Sequence, residues 1–281
     1  MQKIIYVIIS FLVLSLPYPL SAKGKKISKI VIDAGHGGDE PGAQGSFSME
    51  KNITLAVTLK LGKILSDSIK NLQVIYTRTT DSYPTLVQRH DIANQAGADL
   101  FLAVHVNSTP YTYTHVLKGY KTVKRHHKTV KQPIYQNIRH HETTRTGVET
   151  YVLGLHRMKQ LGGEVQDEFS HDSMTTNGLL NENDPQTAII VAQYTQAFLS
   201  RSVKLGSKIQ EEFAAEGRPD LGVKQMGLEV LAGSAMPGVL VEIGFINNPG
   251  EETYLNSEKG QMEVAMAIFR GIRDYKNEVE K

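Results

Sequence analysis

The 281-residue chain contains no cysteine. Disulfides, thiolate zinc sites, a cysteine nucleophile and a lipid-modified N-terminal cysteine are therefore excluded. Charge of one sign is not in excess either: 31 Lys and Arg stand against 29 Asp and Glu, a net +2. That balance argues against a general nucleic-acid binder and against a sponge for acidic ligands. Internal repeats and low-complexity segments are absent. Hydrophobic residues at 40% and charged residues at 21% are ordinary for a globular protein, which removes wholesale disorder, collagen and coiled coil. At this length the apolar residues suffice for a core that folds without staples.

Long apolar runs are scarce. One covers residues 4–16, broken only by Ser10 and Ser15. Lys3 precedes it, and Pro17, Tyr18, Pro19 and the small pair Ser21-Ala22 follow. It is short for a membrane span and reads as a secretory signal peptide over residues 1–22. Leu20 sits where a small residue is preferred, so an uncleaved anchor is the competing reading. The expectation is an exported protein, periplasmic or extracellular, with a catalytic domain over 23–281 and no membrane span in its mature form.

Beyond residue 22, strand and helix patterns alternate. Strands are expected at 29–33, 72–77, 100–106, 148–153, 228–231 and 239–243. Helices are expected at 52–68, 85–96, 185–213 and 257–276. The first carries Ile53, Val57, Leu61, Ile64 and Leu65 on one face. The third has Asp184 as candidate N-cap, Pro185 in its first turn, and a stripe of Ile190, Tyr194, Phe198, Leu205, Ile209 and Phe213. The last turns Met262, Ala265, Met266, Phe269 and Ile272 inward. The pattern implies a single α/β domain: a mixed, twisted sheet of about six strands with helices on both faces.

Two stretches break the alternation. Residues 109–146 show no clear periodicity and form a long basic excursion, with eight Lys and Arg against Glu142. It also holds the pairs His126-His127 and His140-His141, and Tyr111, Tyr113, Tyr120 and Tyr135. A connection of this length is a solvated loop or a functional arm; the sharper reading is an arm for an anionic polymer. Residues 154–183 are a second long connection. Either segment is expected to cover part of the site and to be moved by an activator protein, the bland alternative being ordinary surface structure.

Three strand runs end in polar residues. Residues 29–33 lead into Gly35-His36-Gly37-Gly38, residues 100–104 into His105 and Asn107, and residues 239–241 into Glu242. In open α/β sheets, ligands gather beyond the carboxyl ends of strands. His105 and Glu242 each interrupt an apolar run, where an ionisable side chain must be partnered or solvated. Two imidazoles and a carboxylate suit catalytic zinc. Glu50, joined to His36 by a glycine-rich loop, is a well-placed further carboxylate, with Asp33, Glu40 and Glu149 as competitors. No HExxH motif is present.

The stretches VIDAGHGGDEPGAQG (31–45) and MEKNITL (49–55) resemble the first signature of the zinc-dependent N-acetylmuramoyl-L-alanine amidases of the amidase-3 type. IYTRTTD (75–81), LVQRHDIANQAGADLFLAVHVNS (86–108), GVETYVLG (147–154), GVKQMGLEVL (222–231) and MPGVLVEIGFINNPGEETYL (236–255) resemble later blocks in order. The resemblance implies one zinc ion on His36, Glu50 and His105, with Glu242 as general base and acid. Glu149 matches an assisting position, Asn107 is a candidate substrate contact, and Arg78 and Arg89 are expected to brace the fold. The implied reaction is hydrolysis of the amide between N-acetylmuramic acid and the L-alanine of peptidoglycan stem peptides. A non-catalytic wall-binding or activator protein and a zinc peptidase cutting within the stem are the alternatives. Peptidoglycan is the expected partner, no nucleic acid is expected, and a monomer is.

Overall fold

The computed structural model describes residues 26–125, 128–154 and 185–281. The expected signal peptide, Asp184, the pair His126-His127 and residues 155–183 lie outside the described residues. So do the side chains of Ile190 and Tyr194.

Among the described residues, eight strands and six helices follow in chain order: β1 (Lys29–Ala34), α1 (Glu50–Ser68), β2 (Gln73–Tyr76), α2 (Leu86–Gln95), β3 (Leu100–Asn107), β4 (Thr112–Arg125), β5 (Lys128–His140), β6 (Val148–Leu153), α3 (Pro185–Ala215), β7 (Asp220–Met226), α4 (Glu229–Ala232), β8 (Gly238–Phe245), α5 (Pro249–Asn256) and α6 (Glu258–Val279). Six strands make one mixed sheet in the order β2-β1-β3-β8-β6-β7. β2, β1, β3 and β8 run parallel, and β6 and β7 run opposite to them.

Alternation along the central strands splits the core in two. Ile30, Ile32, Leu102, Val104, Val239 and Val241 pack on one face with α1, α3 and α6, where Ile53, Leu61, Leu65, Leu205, Ile209 and Ile272 are buried. Val31, Phe101, Ala103 and Leu240 pack on the other with Ala93 of α2 and Val230 and Leu231 of α4. Central strands of a sheet covered on both faces read as continuous apolar runs, which is why β1, β3 and β8 were visible in the sequence. The N-terminus of α2 is closed by a capping box between Thr85 and Gln88.

Four expectations need correction. The run 228–231 is not a strand: α4 occupies it and the strand lies just before, at β7. Short apolar runs cannot be told apart by periodicity alone. Met262 is exposed rather than inward. α1 begins at Glu50, two residues earlier than its apolar stripe suggests, and α5 precedes the closing helix. The 109–146 excursion is not irregular. It is an antiparallel ribbon of β4 and β5 with a bulge between Leu117 and Gly119. The bulge moves the alternating pattern from odd to even residues along β4, so the period-2 signal loses phase midway. No helix among the described residues is long and apolar enough to cross a membrane.

Candidate metal centre

His36 lies just past β1, in the left-handed region at φ 59°. A non-glycine residue there is held by its surroundings. Arg89 donates to its carbonyl at 2.8 Å and to that of Ala34 at 2.7 Å. Arg78 donates to the carbonyls of Ala34 and Gly35 at 2.9 and 2.8 Å. Asp33 is not part of the cluster: its buried Oδ1 pairs with Arg89 at 2.6 Å and accepts from Thr77 at 2.5 Å, while its Oδ2 is buried without a hydrogen-bond partner. The two arginines thus brace the strand end, Arg78 through backbone carbonyls and Arg89 through both a carboxylate and carbonyls.

The loop after His36 folds back so that α1 starts at the site. Backbone bonds from Glu50 to the Ala43 carbonyl and from Lys51 to the Pro41 carbonyl fix its return. Glu252 of α5 clamps its far end, accepting from the backbone N–H groups of Ser46, Phe47 and Ser48 at 2.9 Å each and from the hydroxyls of Ser46 and Ser48. These bonds outweigh the opposing effect of burial and hold its carboxyl below the usual range. Nothing in the sequence pattern singled out Glu252.

Glu50 is the buried hub. One oxygen accepts from the Val106 N–H at 2.9 Å and lies 2.9 Å from His105 Nδ1. The other accepts from the Ala43 N–H at 2.8 Å and lies 3.2 Å from His36 Nε2. The two imidazoles meet edge to face with centroids 5.1 Å apart. Burial raises the Glu50 pKa, but the hydrogen bonds and charges of His105 and His36 more than reverse this and hold it well below the usual carboxylate range. Burial lowers the His105 pKa, and the hydrogen bond and charge of Glu50 overcome it, lifting it to about 8.

Two glycines make this convergence possible. A Cβ on Gly35 would lie 2.5 Å from the His105 ring. One on Gly42, at φ 69°, would lie 2.6 Å from both Glu50 Oε2 and the His36 ring.

β3 and β8 bring His105 opposite Glu242, and β8 and β6 bring Glu242 opposite Glu149. Directly opposed residues share a face, so the three form a row across adjacent strands. Glu242 Oε2 is buried without a hydrogen-bond partner. Burial pushes the Glu242 pKa up to about 8, His105 opposing and the charges of Glu50 and Glu149 adding. Glu149 is partnered: Lys224 of β7 pairs with one oxygen and Asn107 donates to the other. Asn107 Oδ1 accepts from the Ser108 N–H at 2.7 Å. Glu40 stands at the edge, 3.9 Å from His36 Nδ1. The described histidines of the ribbon go elsewhere, His140 to Thr114 and His141 to Ser108.

One ligand atom from each of His36, Glu50 and His105 lies within 4.8 Å of the others. The 2.9 and 3.2 Å contacts of His105 and His36 run to different oxygens of Glu50, so to share one tetrahedral zinc the three donors would close from within 4.8 Å toward a mutual spacing of about 3.4 Å. Two borderline nitrogen donors and an anionic oxygen fit that ion, and an orphaned carboxylate oxygen beside them fits a water-handling role.

A family model described as N-acetylmuramoyl-L-alanine amidase matches residues 30–274. Over 80 residues the chain is 46% identical to the sporulation-specific N-acetylmuramoyl-L-alanine amidase of Bacillus subtilis, a match spanning 28% of this chain and 31% of that one. Over 249 residues it is 27% identical to a putative N-acetylmuramoyl-L-alanine amidase of Buchnera aphidicola, spanning 87% of this chain and 95% of the other. Its fold is similar to the crystal structure of N-acetylmuramoyl-L-alanine amidase from Clostridium difficile 630, with a TM-score of 0.59 at 23% identity, covering 90% of this chain and 98% of that one. With the family model running from β1 into α6, the chain belongs to the N-acetylmuramoyl-L-alanine amidases, hydrolases of the amide that joins muramic acid to the stem peptide of peptidoglycan.

Proposed function

We propose that this amide is hydrolysed at the His36–Glu50–His105 cluster, that the three residues hold one zinc ion, and that Glu242 handles the proton. The observation that carries the reading is the pairing of a three-donor cluster with a buried carboxylate oxygen that no other group satisfies. When bound, zinc supplies Lewis acidity, lowering the pKa of water toward about 7 and polarising an amide carbonyl.

The chain's own groups do the rest. The Ala43 and Val106 amides orient the Glu50 carboxylate, as partners of ligating groups commonly do. Glu242 takes a proton from the attacking water and returns it to the departing nitrogen. In the metal-free chain burial raises its pKa to about 8, and a bound dication beside it would bring that value down, toward the range in which one group can both accept and donate near neutral pH. Glu149, held by Lys224 and Asn107, stands next to Glu242 and adds the smallest of the effects that raise its pKa, burial being the largest. Asn107 acts through Glu149, and its amide is a candidate substrate contact. Residues 1–22 direct export, residues 23–281 are the catalytic domain, and a partner protein that opens the site is part of this reading.

The test is a digest of purified peptidoglycan read by mass spectrometry, with and without chelator. Free stem peptides and intact glycan chains are expected, lost on chelation. Shortened stems would instead make the chain a peptidase. Glu242→Gln should keep the metal content of the parent and release no stem peptide. Release at the parental rate would remove Glu242 from the reaction, and failure of the parent to cleave at all would favour a binding protein on this fold.

A further inference from the structure

From residue 100 to 141 the chain contains no acid, and seven Lys and Arg fall within β4 and β5. These strands pair with each other as a sheet apart from the main one. Side chains are exposed on both faces of the ribbon. Residues opposed in an antiparallel pair share a face. Tyr113, the Leu117–Tyr135 pair and the Tyr120–Pro133 pair therefore fall on one face, because the bulge brings Tyr120 into phase. The three tyrosines are 57–60% exposed. The other face carries an aliphatic row that includes Val116, Ile134 and Ile138. Lysines and arginines flank both rows.

The root of the ribbon is tied to the rim of the metal centre. It leaves β3 just after His105 and Asn107 and returns to β6 just before Glu149. Asn247, past the end of β8, clamps both ends: its side chain exchanges bonds with Thr109 at 3.1 and 2.8 Å and donates to the His141 carbonyl. Its own carbonyl accepts from the Thr143 N–H at 3.0 Å. Tyr111 stacks on His141 at 4.3 Å, and the Arg139 guanidinium lies over Tyr111 at 4.3 Å.

We propose that this ribbon is a second binding surface for the polymer the site cuts, with the tyrosine face taking sugar rings of the glycan and the cations taking carboxylates of the stem peptides. The inference rests on the amidase reading. A sugar ring offers a C–H face and a hydroxyl edge, and tyrosine offers a flat apolar ring with a polar tip. Carboxylates would meet seven cations with no internal acid competing for them. An element lying on an anionic lipid surface separates an apolar face from a cationic one, whereas here both faces carry both. A polymer held along a ribbon rooted at the catalytic rim is presented to the cleft at high effective concentration.

The test uses the chain with Glu242→Gln, so that bound polymer is not cut, in a pelleting assay with purified insoluble peptidoglycan. Adding Tyr113→Ser, Tyr120→Ser and Tyr135→Ser together should weaken binding about tenfold or more, and binding should fall as salt rises. In the catalytically intact chain the same three changes should raise KM on insoluble peptidoglycan and leave turnover of a soluble muramoyl-peptide unaltered. Unchanged pelleting by the tyrosine variant would overturn the proposal. So would loss confined to a Val116→Thr, Ile134→Thr, Ile138→Thr variant, or preferential binding to phosphatidylglycerol vesicles. Inactivity of the parent on both substrates would strike the amidase reading instead, because pelleting needs no turnover.

Discussion

Replacing Glu242 by Gln should stabilise the metal-free protein, and by an amount set by pH. In the folded chain the Glu242 pKa stands at about 8 against 4.5 for an unperturbed glutamate. Below pH 4.5 the carboxyl is protonated folded or unfolded, and its charge costs nothing. As pH rises through that value, the unfolded chain releases the proton while the folded chain keeps it, so stability falls until the folded group titrates near pH 8. Each unit in that window is worth about 1.4 kcal/mol. The ceiling at pH 7 is therefore about 3 kcal/mol, and above pH 8 about 5 kcal/mol. Glutamine has the same shape and no proton to lose, so this slope should vanish. A shorter slope should survive between pH 6.5 and about 8, where His105 loses the proton that its partner Glu50 favours; its ceiling is about 2 kcal/mol. Urea denaturation of both proteins in chelator at pH 4.5, 6, 7 and 8.5 measures the difference. Since Glu242 also props up the His105 pKa, the slopes belong to the coupled pair. A stability difference that stays flat from pH 4.5 to 8 would refute the reasoning.

Other expectations follow from single contacts. Gly35→Ala places a Cβ 2.5 Å from the His105 ring; metal affinity, read by chelator competition, should fall about 10-fold to 100-fold, as when an outer partner of a ligand is lost. Glu252→Ala removes the acceptor for residues 46–48 and leaves their amides unpaired. It should lower stability by about 1–3 kcal/mol in urea denaturation and weaken metal binding, because the same loop returns the chain to Glu50. Arg89→Met leaves Asp33 without its counter-charge and the carbonyls of Ala34 and His36 without their donor; a loss of about 3–5 kcal/mol by the same measurement is expected for a broken buried pair. Lys224→Met strips Glu149 of its counter-charge, and the limb of the pH–rate profile assigned to Glu242 should shift.

The sheet was legible where its chemistry is simplest. β1, β3 and β8 are apolar runs buried on both faces, and a run of that kind leaves few alternatives. His36, His105 and Glu242 were visible because each follows or interrupts such a run. Glu50 was visible through the family resemblance and its position after a glycine-rich loop, while the helix boundary at Glu50 was not, since its apolar stripe starts later. The residues that hold the site in shape left weaker traces. Lys224 lies on an edge strand whose alternation is faint, and the Glu252 clamp joins residues some 200 positions apart, at the scale of tertiary packing rather than local pattern. The ribbon hid for a local reason: one extra residue at the bulge reverses the parity of its side chains.

The row His105–Glu242–Glu149 shows how one sheet divides three ionisable groups among different tasks. Glu149 is buried while Glu242 and His105 are half-buried, so residue depth alone does not single out Glu242 as the carboxyl with the raised pKa. Their neighbours separate them. Glu149 stands next to the edge strand β7, which offers Lys224, and Asn107 reaches it from the end of the central strand β3, beyond β8. Glu242 stands on a central strand between an imidazole and a second carboxylate, and one of its oxygens has no donor. Strand order therefore assigns the roles: the carboxylate nearer the edge finds partners for both oxygens, and the central one is left with a raised pKa and an oxygen without a donor. An antiparallel β6 is needed for this. A parallel strand at that position would enter the row from the other end of the sheet, and the chain arriving from β5 could not place Glu149 opposite Glu242 directly after the ribbon.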